Sequence, residues 1–376
     1  MQFVGSNTPW FAPAFLQRDE DASNNSPFKT LSMRSAVLSL TVLSACAAPH
    51  QKEGASGVNG PAPSAPAIHA APSNERGQDT QSAPADLSIS TWNLGYAGLG
   101  ADSDFKTDGG THYLPPSRKV VDRNLRDILE TASGLQTDVQ FFQEVANNSP
   151  LSYGRNLTAN LRTTLAREFF WFKPEISPRL LATRHGTAIA TNLPVSDTQN
   201  IAIIGEESPM FGLINRHYAL QVVRIPAKDA RGDWVLINIH LSAFDDGGKL
   251  RRAQIDAVFD YAQTQYAKGA RVVIGGDWNM ELTPSTFPHQ TADEHLFWIH
   301  PFPTAQLPDG WHIAIDRALP TVRTMHKPYV AGENYVTIID GFITSPNVKV
   351  ISVQTTDTGF QMSDHMPVIA TFRAAN

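Results

Sequence analysis

Short apolar stretches recur along the chain from residue 87 onward, and most have the length and composition of β-strands. They are rich in β-branched and aromatic residues. The ten predicted strands span residues 87–93, 139–145, 168–173, 186–192, 218–225, 233–241, 270–276, 335–345, 348–354 and 366–373. Helical spacing of apolar residues appears in two segments, one between Ser117 and Glu130 and one from Leu250 to Tyr261. Many strands with few long helices predict an α/β domain on mixed sheets rather than a doubly wound parallel sheet.

The segment from about 281 to 334 shows no clear period and is rich in Pro, His and Trp. We predict long surface loops there, and loops of that length often carry function. The chain has no internal repeat and no second linker after residue 86. Residues 86–376 are therefore predicted to form one large domain.

Residues 47–85 are dominated by Ala, Pro, Ser and Gly and contain almost no large apolar side chains. Such a segment cannot bury enough apolar surface to fold. We therefore expect a disordered tether that joins an N-terminal anchor to the folded domain.

The first 46 residues contain the pattern of a secretory signal. Met33 and Arg34 precede a short apolar run that ends at Cys46, and the run is too short to cross a bilayer. The letters LSAC at its end resemble the bacterial lipobox, in which the cysteine is lipidated and becomes the first mature residue. The alternative is a small buried thiol at the end of an ordinary helix. We predict Met33 as the true start and a cell-envelope protein anchored by acyl chains at Cys46, at the outer membrane on its periplasmic side or surface.

The net charge indicates which partners the chain could bind, and the cysteine content indicates whether it could form a disulfide. The formal net charge is −6, and it stays −6 without residues 1–46, which hold three basic and three acidic residues. A strongly basic balance would favour polyanion binding, so nucleic acid remains an option that the charge does not support. The single cysteine excludes an intrachain disulfide. We expect a monomer.

Several carboxylate, amide and imidazole residues lie at the ends of the predicted strands. They are Asn93, Glu144, His240, Asp277, Asn279, Asp340, Asp364 and His365. A single acidic residue at a strand end is usually a turn or cap residue. Strand ends of a layered domain converge on one rim, however, and so many oxygen and imidazole groups at that rim predict a functional site.

These residue types suit the attack of water on a phosphate ester. Asn93, Glu144 and Asp364 offer hard oxygen ligands for Mg²⁺, with Mn²⁺ or Ca²⁺ as alternatives. Asp277 and Asn279, two positions apart, are predicted to share one side of a strand, so that one handles a proton and the other stabilises an oxyanion. Asp340 is a candidate to orient an imidazole, with His365 as its partner.

Six motifs, in order, resemble the endonuclease/exonuclease/phosphatase superfamily, which has the deoxyribonuclease I-like fold. The motifs are STWN, QEV, NIHLS, GGDWN, IIDGF and SDHMPV, and the resemblance covers residues 87–373. It implies a four-layer α/β/β/α sandwich of two mixed sheets flanked by helices. It also implies a divalent metal at Glu144, assisted by Asn93 and Asp364.

By the same resemblance, His240 and Asn279 contact the scissile phosphate, Asp277 positions or activates water, and Asp340 pairs with His365. Which of Asp277 and His365 acts as the base is left open. The chain departs from the family where Thr191-Asn192 replaces a common Ser-Arg or Ser-Lys pair. The candidate replacements for that phosphate-binding cation are Arg184, Arg216, Arg323 and His326; the alternative for each is a solvated loop charge.

We therefore predict a divalent-metal-dependent phosphoesterase, with phosphodiester cleavage preferred over monoester hydrolysis. The alternatives are a nuclease that acts on DNA or RNA, a sphingomyelinase-like lipid phosphodiesterase, and a non-catalytic envelope binding protein on the same scaffold. The substrate depends on loops that the sequence does not define.

Overall fold

The computed structural model describes residues 82–176, 183–205, 217–227, 232–243 and 245–375. Within these ranges the chain forms two six-stranded sheets and a short two-stranded ribbon. The predicted signal segment with Cys46, most of the tether and Arg216 lie outside the described residues.

The first sheet contains strands from both ends of the domain. Its members are β1 (Asp86–Asn93), β2 (Val139–Asn147), β3 (Phe169–Ile176), β4 (Arg184–Thr191), β13 (Val348–Thr355) and β14 (Val368–Ala374). They lie in the order β13-β14-β1-β2-β4-β3. β1 and β2 run parallel, and the other neighbours are antiparallel.

The second sheet is built from the middle of the chain. Its members are β5 (Asp197–Ala202), β6 (Ala219–Ile225), β7 (Trp234–His240), β8 (Arg271–Asp277), β9 (His312–Ala314) and β12 (Asp340–Thr344). The order is β5-β6-β7-β8-β12-β9, with β7 and β8 parallel. A ribbon of β10 (Val322–Arg323) and β11 (Val336–Thr337) lies outside both sheets.

Helices cover the outer face of each sheet. On the first sheet lie α1 (Arg118–Gly134), capped by the Ser117 hydroxyl, and α2 (Leu157–Leu165), capped by Asn156. On the second sheet lies α3 (Lys249–Ala267). None of the helices in the described ranges is long and apolar enough to cross a membrane.

A buried apolar layer joins the inner faces of the two sheets. Ile89 and Phe141 of the first sheet belong to the same core cluster as Leu236, Val273 and Phe342 of the second. Removing this apolar surface from water is the main stabilising contribution to the arrangement. The layers are helix, sheet, sheet and helix, so the predicted four-layer sandwich is confirmed.

All ten predicted strands are present, with 335–345 split into β11 and β12, but four α-helices or β-strands of the described residues were missed. They are β5, whose alternating exposed residues lack an apolar run, the short strands β9 and β10, and α2. The prediction of surface loops over 281–334 was partly wrong. Trp298, Phe302 and Trp311 are buried there, and β9 extends the second sheet. Trp298, Phe302 and Trp311 are spaced irregularly along the sequence, so no helical or strand period indicated that they are buried.

Parallel neighbours place four polar strand ends at one rim. β1 and β2 end near each other in the first sheet, as β7 and β8 do in the second, where His240 lies beside Asp277. β12 begins at this rim, because Asp340 pairs with Asp277. The close approach of β7 and β8 depends on Gly276, because a Cβ atom there would lie 2.1 Å from the Ile239 carbonyl oxygen.

Candidate active site

A cleft of about 480 Å³ opens at this rim. Seven of the eight strand-end residues predicted from the sequence line it: Asn93, Glu144, His240, Asp277, Asn279, Asp364 and His365. The eighth, Asp340, is fully buried behind His365. The structure therefore brings the predicted set together from both sheets.

Asp277 lies at the centre of the group and is almost fully buried. Its Oδ2 accepts a hydrogen bond of 2.9 Å from Asn93 Nδ2. The same Oδ2 lies 3.8 Å from His240 Nε2 and 3.8 Å from His365 Nε2. One carboxylate oxygen thus faces two imidazoles, an arrangement suited to receiving and passing on a proton.

Asn279 reaches the cleft through a turn and not through strand periodicity. β8 ends at Asp277, whose Oδ1 accepts a 2.8 Å hydrogen bond from the Asn279 backbone N–H. Asn279 has a left-handed φ of 49°, and its Nδ2 donates to the Leu241 carbonyl at 2.8 Å. The prediction that Asp277 and Asn279 share one face of a strand was therefore wrong, although both line the cleft.

His365 and Asp340 form a tight buried pair. His365 Nδ1 lies 2.8 Å from Asp340 Oδ2, and the Asp340 backbone N–H donates to Thr321 Oγ1 at 3.0 Å. Burial lowers the pKa of His365, but the carboxylates of Asp340 and Asp277 outweigh burial and raise it well above its usual range. The pair that the sequence suggested is thus present, with Nε2 directed toward Asp277.

His240 has a carboxylate partner that the sequence did not reveal. Glu175, a buried residue of β3, places Oε2 3.4 Å from His240 Nδ1. Burial lowers the pKa of His240, but the hydrogen bond and charge of Glu175, with Asp277 and Glu144, raise it to about 9. Lys173 Nζ lies 3.7 Å from the other oxygen of Glu175. The available signal was an acidic residue, Glu175, just beyond the predicted aromatic strand 168–173.

Glu144, the central predicted metal ligand, has a buried oxygen that no hydrogen bond satisfies. Glu144 lies at a bulge in the pairing of β2 with β4, with a φ of 53°, and its Oε2 is buried without a hydrogen-bond partner. Burial, together with Asp364 and Asp277, raises the pKa of Glu144 to about 7, against the effect of the imidazoles. An oxygen-rich set with an unpartnered buried carboxylate oxygen fits a hard divalent cation.

Oxygen and nitrogen atoms of Asp277, Asp340 and His365 also lie within 4.8 Å of one another and could hold a metal. In that group the 2.8 Å contact between His365 and Asp340 already occupies one imidazole nitrogen and one carboxylate oxygen. Glu144, with its free buried oxygen, is the better centre for a cation site.

The predicted phosphate-binding cations are not assembled in the cleft. Arg184 is exposed at the start of β4, and His326 stacks on His295 with ring centroids 4.4 Å apart; neither lines the cleft. Arg323 does line it, but its guanidinium is buried and donates to backbone carbonyls, among them that of Gly100 at 2.8 Å. Its geometry favours a role in holding loops together over phosphate binding.

One wall of the cleft is apolar. The side chains that form it include Phe105, Tyr113, Leu114, Trp298 and Met325. Tyr113 and Leu114 are largely exposed, at 57% and 43%. Among the described residues that line the cleft there is no lysine, and Arg323 is the sole arginine.

Solved structures share this architecture. An endonuclease/exonuclease/phosphatase from Beutenbergia cavernae superposes with a TM-score of 0.55 at 18% identity, covering 78% of this chain and 72% of that one. The chain has the endonuclease/exonuclease/phosphatase fold. A second protein of this fold, from Bacteroides vulgatus, gives a TM-score of 0.51 at 14% identity over 77% and 99% of the two chains. No protein-family model and no curated protein sequence matches the chain.

At these identities the endonuclease/exonuclease/phosphatase fold is established and the reaction is not, because one fold supports many activities. The reaction is therefore determined by the side chains around Asp277.

Proposed function

We propose that the protein is a divalent-metal-dependent phosphoesterase that cleaves a phosphodiester by attack of water. The observation that carries the proposal is the environment of Asp277 Oδ2, which accepts a hydrogen bond from Asn93 and faces two imidazoles at 3.8 Å. A buried carboxylate so placed can take the proton of an attacking water.

The imidazoles supply positive charge where phosphate oxygens would lie. Both histidines have raised pKa values, so each is held in its protonated, hydrogen-bond-donating form by the surrounding carboxylates. Largely buried donors that are held in place stabilise the charge that develops in the transition state. Asn279 stands beside them and is proposed to hold a phosphate oxygen.

We assign the cation to Glu144, with Asn93 and Asp364 in support. The ion would neutralise phosphate charge and polarise the ester when bound. Mg²⁺ is proposed, because the donors are all oxygen atoms.

Hydrolysis of bis-p-nitrophenyl phosphate tests the proposal. We expect turnover with Mg²⁺ that is lost with EDTA and restored by added Mg²⁺ or Mn²⁺. The matched control for an Asp277→Asn variant is Asp357→Asn, which alters an exposed loop carboxylate. Absence of hydrolysis with Mg²⁺, Mn²⁺ and Ca²⁺ would favour the non-catalytic binding alternative.

A nuclease is the second candidate, and the same preparation tests it with single-stranded and duplex DNA and RNA. The charge of the cleft argues against it, since no described lysine lines the cleft and its one described arginine is committed to backbone carbonyls. A nucleic acid needs cations for the phosphates on either side of the scissile one. Degradation of polymer much faster than of the small diester would favour the nuclease.

We also propose that the mature protein is anchored to a bacterial envelope through acyl chains on Cys46. The support is the sequence pattern alone: a short apolar run that ends at the only cysteine. Metabolic labelling with a fatty acid in a bacterial host tests it. We expect label on the wild type and none on Cys46→Ser; equal labelling of both would contradict the anchor.

A further inference from the structure

Two consecutive apolar side chains, Tyr113 and Leu114, are exposed where they line the cleft. Six large apolar side chains are exposed in the described part of the chain, and the other four do not line this cleft. Single exposed apolar residues are common, whereas a contiguous pair beside a polar site is typical of a surface that contacts a ligand. The exposed pair, Tyr113 and Leu114, is therefore a candidate ligand-binding surface.

The loop that carries the exposed pair is held on both sides. On the N-terminal side, the His112 carbonyl accepts a hydrogen bond of 2.7 Å from the Lys106 backbone N–H. On the C-terminal side, the Pro115 carbonyl accepts a hydrogen bond of 2.9 Å from the Tyr153 hydroxyl. These bonds use groups outside the pair, so its two side chains are presented by a fixed loop. An apolar surface held in place in advance binds a ligand with little ordering cost.

A line of close contacts joins the exposed pair to a predicted metal ligand. A Cβ atom at Gly95 would lie 2.6 Å from Asp364 Oδ1 and 3.0 Å from Leu99 Cβ, so these two side chains are neighbours. A Cβ atom at Gly98 would lie 2.7 Å from Cγ of Pro115, the residue that follows the exposed pair. Leu99 itself lines the cleft. The apolar surface therefore extends from the exposed pair to the carboxylate of Asp364.

The charges around the cleft indicate what this apolar surface could receive. The described residues that line the cleft include the carboxylates of Glu144, Glu175, Asp277 and Asp364 but no lysine. Their one arginine, Arg323, is committed to backbone carbonyls. A second anionic group on the substrate would thus find no free cation among these residues and would face carboxylates. An uncharged apolar group would instead gain free energy by leaving water.

We propose that the exposed pair and Leu99 bind an uncharged hydrocarbon group, alkyl or aryl, on one alcohol of the phosphodiester substrate. The inference rests on the proposed function in placing the phosphate beside Asp277 and the cation at Glu144. It adds the chemical class of the alcohol, which is apolar and carries no second anionic group. The substrate is then a diester whose single negative charge lies on the phosphate.

Binding of four phosphonates, measured calorimetrically with Mg²⁺, tests the proposal without turnover, because a C–P bond replaces the ester. The probes are methylphosphonate, n-hexylphosphonate, phenylphosphonate and 6-phosphonohexanoate. We expect the better of the hexyl and phenyl probes to bind about thirtyfold more tightly than methylphosphonate, since half-burial of about five more carbon groups contributes about twofold each. Which of the two binds better distinguishes an alkyl from an aryl group. 6-Phosphonohexanoate, which ends in a carboxylate, should lose most of the gain.

The informative variant is the double substitution Tyr113→Ser and Leu114→Ser. Both side chains are exposed, and the hydrogen bonds that hold their loop come from neighbouring residues, so the fold should be retained. We expect the preference over methylphosphonate to fall to about threefold. The control Ile351→Ser removes an exposed apolar side chain of β13 that does not line the cleft, and it should keep the preference.

Three results would overturn the proposal. They are equal binding of the methyl, hexyl and phenyl probes by the wild type, a preference that survives in the double variant, and binding of 6-phosphonohexanoate as tight as that of n-hexylphosphonate.

Hydrolysis of bis-p-nitrophenyl phosphate separates this inference from the proposed function. A preference that depends on the exposed pair, in a protein that does not hydrolyse the diester, supports the apolar site alone. Magnesium-dependent hydrolysis by a protein that binds all four phosphonates equally supports the phosphoesterase and refutes the apolar site.

Discussion

Two imidazole–carboxylate pairs flank Asp277, and they differ in how firmly they are held. His365 and Asp340 are in contact at 2.8 Å, with both side chains almost fully buried. His240 and Glu175 lie 3.4 Å apart, the imidazole is 15% exposed, and Lys173 competes for the carboxylate at 3.7 Å. Both imidazoles nevertheless present Nε2 at the same distance from Asp277 Oδ2. The two Nε2 atoms are equally far from Asp277 but are held unequally. We infer that the His365 side of the site is fixed and the His240 side is adjustable.

The largest effect is expected from the residue that the two pairs share. Asp277→Asn keeps the size of the side chain but removes its ability to take a proton. We expect kcat for bis-p-nitrophenyl phosphate to fall about a thousandfold, within the range for loss of a general base. Asp357→Asn should retain wild-type kcat. A fall of less than tenfold in Asp277→Asn would show that Asp277 is not the base.

Substitution of the two carboxylates that pair with the imidazoles, Asp340 and Glu175, should distinguish the fixed side of the site from the adjustable side. We expect Asp340→Asn to lower kcat/KM about a hundredfold and Glu175→Gln about tenfold, the two ends of the range for groups that orient a site residue. The reason is that Asp340 fixes the orientation and the positive charge of a buried imidazole at 2.8 Å, whereas Glu175 holds His240 through a looser contact of 3.4 Å. Steady-state kinetics of both variants at the same pH measure the ratio. Equal losses would remove the distinction between the sides.

The stability of the metal-free protein should depend on pH through His240. Its folded-state pKa of about 9 lies above the ordinary value of 6.5, so its contribution is present below pH 6.5 and is lost as the pH rises through 9. We expect this loss to be about 2 kcal/mol in the free energy of unfolding. Urea unfolding in EDTA at pH 6.5 and pH 9.5 measures it.

The His240→Gln variant should flatten that pH dependence in part, because His365 contributes with the same sign. His312→Gln, which alters an exposed imidazole in β9, should leave the dependence unchanged. A wild-type protein more stable at pH 9.5 than at pH 6.5 would contradict the sign.

The smallest effect concerns Glu144 in the absence of metal. Its folded-state pKa of about 7 lies above its ordinary value of 4.5, so ionisation at pH 8 costs the folded state free energy. Glu144→Gln removes that cost, and we expect the metal-free Tm to rise by about 2 °C. Added Mg²⁺ should then raise the Tm of the wild type more than that of the variant. A lower metal-free Tm in the variant would show that Glu144 stabilises the fold without a cation.

Most of the site could be predicted because polar residues interrupt apolar strands at their ends. Asn93, His240 and Asp277 each end a buried strand, and parallel neighbours bring such ends together. The β-strand pattern also predicted the mixed sheets. The pattern could not predict the turn that places Asn279 in the cleft, because a single residue with a φ of 49° does not alter the spacing of apolar residues.

Glu175 was missed for a local reason. Pro174 ended the predicted strand at Lys173, since proline cannot donate to a sheet ladder. β3 is the edge strand of its sheet, where a proline is tolerated, and it continues to Ile176 with a register shift. The burial of Arg323 depends on contacts between distant loops, which leave no recognisable pattern in a single sequence.

Each imidazole pair also joins the two sheets, because His240 belongs to the second sheet and Glu175 to the first, whereas Asp340 belongs to the second and His365 leads into β14 of the first. Asn93 and Asp277 make a third such link. The proposed catalytic groups therefore also link the two sheets of the sandwich at this rim. A slight separation of the sheets at this rim would abolish activity while the apolar layer between the sheets stayed intact. During gradual denaturation, turnover would consequently disappear before the buried tryptophans meet water.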